Sequence, residues 1–199
     1  MATIQKNNVR IMVADIQHTV YAEKICQMIE DAAKLRGTGI AKRTPEYVSS
    51  KIREGKAVVA LDGDNIVGFC YIETWEHGKY VANSGLIVHP DYRKQKLAHR
   101  IKQKVLELSG VMYPDAKVFG ITTSSAVLNI NFKLGYRPVT FSELTTDPEF
   151  WKGCQGCVNY DILQRTQQKM CLCTGMIYEQ KVKKQVLNGL LTKVWNKNA

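Results

Sequence analysis

The sequence predicts a mixed β-sheet with helices packed against it, a fold of the α+β (or α/β) class. Apolar runs of strand length alternate with stretches whose apolar residues recur at helical spacing. Gly, Pro and Asp/Asn turn signals separate them. With 199 residues, 45% hydrophobic and 23% charged, the chain has the size and composition of one compact domain, or of one domain with an appendage.

The elements follow in order. Val9 to Val13 reads as a first strand. Thr19 to Leu35 carries Val20, Ile25, Met28, Ile29 and Ala32 near helical spacing, and Gly37 and Gly39 stop that helix. Thr44-Pro45 is a cap followed by proline at the first helical position, opening a short helix to about Glu54. Ala57 to Leu61 and Ile66 to Thr74 flank Asp62-Gly63-Asp64-Asn65 as a hairpin. Val81 to Val88 is a further strand that Pro90 ends. Leu97, Ile101, Val105 and Leu108 give a helix from about Lys96 to Leu108 one apolar stripe. Lys117 to Thr122 is strand, Ala126 to Leu134 helix, Tyr136 to Phe141 strand, and Asn159 to Leu163 a last strand. Residues 164–199 form a basic extension, in which Val182 to Val194 has the pattern of a short amphipathic helix.

Composition excludes several classes. No run of 18 uncharged apolar residues is present, so no membrane span is expected, and Met1 to Val9 has no apolar core of signal-peptide length. A cytoplasmic location is the expectation. The net charge of +10 predicts anionic partners. Arg93, Lys94, Lys96, Arg100, Lys102 and Lys104 form a run with no acid among them. Nucleic acid would want aromatics interleaved with the basic residues. After Tyr160 only Tyr178 and Trp195 are aromatic, which argues against it.

The informative stretch is Gly85 to Leu108, GLIVHPDYRKQKLAHRIKQKVLEL. An apolar strand ends at Val88-His89-Pro90, and Arg93 to Ala98 turn into a helix. A helix start leaves several N–H groups unpaired at the positive end of the helix dipole, an anion site suited to a diphosphate. The plain alternative is a surface helix with a solvated basic face.

This segment resembles the coenzyme-A-binding motif of the GNAT superfamily of acyl-CoA-dependent N-acyltransferases. Its pattern is a strand, V-x-P, then R/Q-x-x-G-x-G/A. Arg93, Gln95 and Ala98 fit, after Leu86, Val88 and Pro90. Lys96 stands where the family usually has glycine; the expectation is that it keeps helical dihedrals and offers its ammonium to phosphate. The resemblance spans roughly Val9 to Leu163. It implies a mixed, mostly antiparallel sheet flanked by helices, with a GNAT-like domain over residues 1–163 and a Cys-rich C-terminal extension. It also implies acetyl-CoA, or another short acyl-CoA, as co-substrate. Ile87, Val88, Arg93, Lys94, Gln95, Lys96, Leu97, Ala98 and Asn129 are then the cofactor-binding positions. Many members carry a tyrosine acid just before the K-x-G-[FY] stop. Lining up Lys133-Leu134-Gly135-Tyr136 places Asn131 there, and asparagine cannot supply a proton. Glu73, with Glu76 and His77 behind it, is the candidate base; a solvated strand-end glutamate is the alternative.

Three segments are similar to the acetyltransferase domain of N-acetylglutamate synthases: GIAKRTPEYVSSKI (39–52), LIVHPDYR (86–93), and FGITT (119–123) with LGYRPV (134–139) after it. That similarity implies Arg43, with Thr44 beside it, as the holder of a substrate carboxylate; an Arg fork suits that role. A surface arginine next to a helix cap is the alternative. The reaction implied moves an acetyl group from acyl-CoA to the amine of a small molecule, an amino acid such as glutamate, as in amino-acid biosynthesis. A non-catalytic CoA-binding protein and a nucleic-acid-binding protein are the competing readings, and a homodimer is left open.

Cys154 and Cys157, then Cys171 and Cys173, have a spacing that could bind structural zinc. Reduced packing cysteines or a redox pair are the alternatives.

Overall fold

In the computed structural model, residues 8–36 and 42–180 are described. Gly37, Gly39 and the 182–194 helix therefore lie outside the described residues. The strands are β1 (Arg10–Val13), β2 (Ala57–Asp62), β3 (Asn65–Trp75), β4 (Tyr80–Val88), β5 (Lys117–Thr122), β6 (Arg137–Val139) and β7 (Thr174–Glu179). The helices are α1 (Ala22–Arg36), α2 (Pro45–Arg53), α3 (Leu97–Met112), α4 (Ser125–Lys133), α5 (Pro148–Lys152) and α6 (Tyr160–Arg165). The strands form one mixed sheet in the order β1-β2-β3-β4-β5-β7-β6, antiparallel except for β4 beside β5.

β2 alternates its side chains between two buried faces, so nearly the whole strand is apolar. Ala57, Val59 and Leu61 pack with Phe69, Tyr71 and Ile87 under Ile25 and Ile29 of α1 and Val48 and Ile52 of α2. Val58 and Ala60 pack with Val67, Cys70, Ile72 and Val88 under Leu97, Ile101 and Val105 of α3. A third cluster covers β5 and β7: Phe119 and Ile177 meet Phe141, Leu144, Trp151 and Leu163.

Two features of β4 shape everything near the site. Phe69 pairs with Ile87 but Tyr71 pairs with Ser84, so β4 carries an extra residue as a bulge. Gly85 in that bulge has φ +67°, and a Cβ there would sit 2.5 Å from the Tyr71 ring. Secondly, β4 and β5 share only the pairs Tyr80–Lys117, Val81–Val118 and Ala82–Phe119. Past Ala82, β4 stays with β3 while β5 continues with β7, and the sheet splits. Asn83, the first residue beyond the split, is anchored from behind: its Nδ2 donates to Ser109 Oγ (2.8 Å) and its Oδ1 accepts from Tyr136 OH (2.9 Å).

The expected Asn159 to Leu163 strand is helix α6 instead. Tyr160 and Leu163, three apart, turn toward the same cluster, a spacing that fits a helix better than a strand. The last strand is β7, which inserts between β5 and β6, so the sheet draws on residues beyond Leu163. The expected 136–141 strand shrinks to β6, because Tyr136 turns inward as a buried anchor and Phe141 begins a 3-10 turn.

Lys102 of α3 is 2% exposed, with its ammonium 5.1 Å from the centre of the Tyr136 ring. Burial lowers its pKa to about 8, with a small opposing effect from Cys70. Lys102→Met is expected to stabilise the fold at pH 7 by about 1–3 kcal/mol, read from urea unfolding. Between pH 8 and the ordinary lysine value of 10.5 the unfolded chain binds more protons than the folded one. The cost of burying the charge is therefore full below pH 8 and fades as pH rises, and the advantage of the Lys102→Met variant shrinks with it. Gly85→Ala meets both the positive φ and the Tyr71 ring; a loss of about 2–4 kcal/mol is expected in the same measurement.

Candidate active site

The split between β4 and β5 opens into a cavity of about 600 Å³. One wall is β4 from Ala82 to Ile87, and the facing wall is Gly120 to Ser124 with Val127 of α4. Arg43, Thr44 and Tyr47 close one end with Glu73, and Glu149, Phe150 and Gly153 close another with Cys154, Cys157 and Cys173. The β4 edge facing β5 has lost its strand partner past Ala82, so its backbone groups are free to pair with an extended ligand as an added strand would.

Arg43, Thr44 and Glu73 lie together in the wall of this cavity. Thr44 caps α2, its Oγ1 accepting from Tyr47 N–H at 3.2 Å, and it also lines the cavity. Arg43 Nε donates to Tyr71 OH at 2.6 Å and Nη1 donates to the Lys42 carbonyl at 2.9 Å. Its guanidinium lies 5.4 Å and 5.7 Å from the ring centres of Tyr47 and Tyr71. Burial works against its charge, but Tyr71, Tyr47 and Glu73 outweigh this and hold its pKa above the ordinary value. Among the described residues no carboxylate pairs with it. Glu73 accepts a short hydrogen bond from Tyr47 OH and pairs with Lys51 Nζ at 3.2 Å. The hydroxyls of Tyr47 and Tyr71 are both pushed up, first by burial.

Tyr47, Lys51 and Tyr71 were missed in the sequence. The signal was present: Tyr47 and Lys51 are four apart on one face of α2. What was not legible is which strand residue that face meets.

Glu76 and His77, the next candidates for the base, do not line the cavity. Glu76 accepts from Thr145 Oγ1, Thr146 N–H and Thr146 Oγ1, and these bonds, the Thr146 backbone first, hold its pKa low. It ties a turn to the 145–146 loop, and His77 lines a separate surface depression.

Residues 93–98 lie outside the cavity, past its β4 end at Ile87. A 3-10 turn, Pro90–Tyr92, leads into them, fastened by Tyr92 OH to Asp62 Oδ2 at 2.6 Å. The first α3 backbone bond runs from Arg100 N–H to the Lys96 carbonyl, so the N–H groups of Leu97, Ala98 and His99 have no partner within the helix. The Leu97 side chain is buried, so it can offer only its backbone. Gln95 Nε2 donates to the Asp91 carbonyl, and Arg93 Nε donates to the Val88 carbonyl. Lys96 does not keep helical dihedrals as expected. It lies at φ 60°, and Lys94 at φ 61°. The turn needs left-handed backbone to bring the chain onto α3, which explains the ease of glycine at such a position.

Asn129 is exposed and Asn131 is buried, and neither lines the cavity. Asn131 Oδ1 has no hydrogen-bond partner among the described residues. Near α4, the residues that do reach the cavity are Ser124, at the helix cap, and Val127.

The four cysteines cluster, and neighbouring thiols add to the upward pKa shifts of Cys154 and Cys173. Burial comes first as the cause, with Cys154 pushed up to about 11 and Cys173 to about 12. Among the described residues no three His, Cys, Asp or Glu side chains are placed to hold a metal ion, so the zinc expectation gains no support. Three of the thiols are instead part of the cavity wall. Among the described residues no helix is long and apolar enough to cross a membrane.

Residues 26–110 match the model of the Acetyltransferase (GNAT) family. No curated protein matches the sequence significantly. Among solved structures, N-acetylglutamate synthase from Neisseria gonorrhoeae, complexed with coenzyme A and N-acetyl-glutamate, has a TM-score of 0.64 at 15% identity, over 89% of this chain and 36% of that one. This chain thus spans about a third of the synthase. YncA from Salmonella typhimurium, with its cofactor acetyl-CoA, has a TM-score of 0.60 at 14% identity over 88% and 95% of the two chains. The ribosomal-protein-S18-alanine N-acetyltransferase from Escherichia coli has a TM-score of 0.55 at 11% identity over 87% and 95%. The matched stretch runs from α1 to α3 and so includes the bulged β4, its split edge and the α3 turn. Over residues 26–110 the chain is thus similar to GNAT acetyltransferases, and its seven-stranded sheet has the GNAT fold.

Proposed function

We propose that this chain transfers an acetyl or other short acyl group from acyl-CoA to the amine of a small acceptor that carries a carboxylate, with glutamate as the leading candidate. The observation that carries the reading is Arg43: a guanidinium in the cavity wall, unmatched by any carboxylate among the described residues. A cavity of about 600 Å³ is of small-molecule size. The N-acetyl-glutamate in the Neisseria synthase structure adds to the case, at the level of a shared fold.

The free N–H groups of Leu97, Ala98 and His99, with Lys94 and Lys96 beside them, fit a diphosphate. The unpaired edge of β4 through Ile87 and Val88 fits the amides of a pantetheine arm, and a free N–H there would polarise a thioester carbonyl. When bound, acyl-CoA supplies the thioester. Arg43, with Thr44 beside it, holds the acceptor carboxylate and so orients the amine. Glu73 takes a proton from the amine nitrogen and later gives it to water. The C–N bond forms as the C–S bond breaks, and the sulfur leaves as thiolate, which needs less help from an acid than an alkoxide would because thiols are acidic. Asn131, buried and off the cavity, supplies no acid to this step.

Release of CoA thiol from acetyl- and succinyl-CoA against an amino-acid panel tests the reading. Turnover with glutamate, and little with analogues whose carboxylates are amidated, is expected. Tight CoA binding by calorimetry without turnover on any acceptor would instead identify a non-catalytic CoA-binding protein. Arg43→Gln is expected to raise the acceptor KM by about 10- to 100-fold, the loss of one charge-assisted contact, with the acetyl-CoA KM unchanged. Glu73→Gln is expected to lower kcat by about 10²–10⁴-fold.

A further inference from the structure

Both partners of the Glu73 carboxylate meet the same oxygen. Tyr47 OH donates to Oε1, and Lys51 Nζ lies 3.2 Å from Oε1. Among the described residues no donor reaches Oε2. Tyr47 and Lys51 come from one face of α2, and they brace each other, with the ammonium 4.9 Å from the centre of the tyrosine ring. Tyr47 is held in turn by the edge of Tyr71 at 5.8 Å and by Arg43 at 5.4 Å.

We propose that Tyr47 and Lys51 are positioning residues that fix Glu73 through Oε1 and leave Oε2 as the atom that takes the acceptor's proton. The inference rests on the reading of this cavity as an acyl-transfer site.

Several features support the assignment. A carboxylate near the end of a strand rotates freely about its side-chain bonds unless something clamps it. Two donors on one oxygen remove that rotation while sparing the other oxygen's lone pairs. Burial raises the Tyr47 hydroxyl's pKa, so it stays a donor and does not compete for the amine's proton. The same tyrosine touches Arg43, so the group that grips the acceptor carboxylate and the group that receives its proton share one support. The β4 residue opposite Glu73 is Ala82, which carries no competing donor. The distance between carboxylate site and base is thereby set by Tyr47, which touches both Arg43 and Glu73, and by Tyr71 of β3, which holds Arg43; this selects acceptors whose amine and carboxylate have a matching separation.

The test uses Tyr47→Phe, Lys51→Met and Lys51→Arg in the full chain, with acetyl-CoA and the acceptor that the panel identifies. Tyr47→Phe and Lys51→Met are expected to lower kcat by about 10- to 100-fold with the acetyl-CoA KM unchanged, and Lys51→Arg to recover most of it. A second measurement needs no turnover. In protein labelled with ¹³C-glutamate, the Glu73 carboxylate resonance, assigned by its loss in Glu73→Gln, is expected to move in Tyr47→Phe and in Lys51→Met and to stay close to wild type in Lys51→Arg. An unmoved resonance in both deletions, or wild-type kcat in both, would overturn the inference while Glu73→Gln still reports on the proposed function. A wild-type chain that releases no CoA with any acceptor would count against the proposed function, and the resonance would then decide the clamp by itself.

Discussion

Beyond Ala82, β4 and β5 are neighbours that no longer share hydrogen bonds, and each is committed to another partner. An open pair of strand edges inside a sheet is costly unless something keeps the strands apart and something else satisfies them. The bulge at Gly85 bends β4 toward β3 around the Tyr71 ring. Asn83, tied to Ser109 and Tyr136, holds the point of divergence from the α3 side. The cavity, the free edge of β4 and the arrangement of Arg43 above Tyr71 all follow from that parting.

Tyr71 links the two halves of the site. Its ring fills the space a side chain at position 85 would need, and its hydroxyl accepts from Arg43. The conformation of the β4 backbone along the cavity is thus coupled by packing to the guanidinium at the cavity's other end. A disturbance on either side is felt by the other through one rigid aromatic group.

Much of the fold was legible because its signals are local. The 62–65 turn, the Thr44-Pro45 cap and the stripe from Leu97 to Val105 each specify an element within a few residues. The C-terminal third was harder. Thr174 to Glu179 is short and sits beside the cysteines, and its place between β5 and β6 depends on pairing with β5 residues more than fifty positions away and β6 residues more than thirty-five away. The site shows the same division. Arg43 and Thr44 could be named from a resemblance, and Glu73 from its place at the end of a strand. That Tyr47 and Lys51 converge on one oxygen of Glu73 depends on how α2 packs over β3, a tertiary fact that spacing alone does not contain. Lys96 failed as an expectation for a comparable reason: the path of the turn, not the propensity of lysine, fixes its backbone.

That turn has a consequence for how the proposed donor would be held. With glycine at position 96 the backbone would be relaxed, and the grip on an anion would come from oriented peptide dipoles at close range. Lysine keeps the left-handed bend at some conformational expense and adds a full, solvent-facing charge on a long arm. Attraction of that kind reaches farther into solution but is damped by dissolved electrolyte, whereas peptide dipoles in contact are damped much less. Under the proposed function, capture of the nucleotide end would accordingly be biased toward long-range electrostatic guidance, and ionic strength would control how readily the donor arrives.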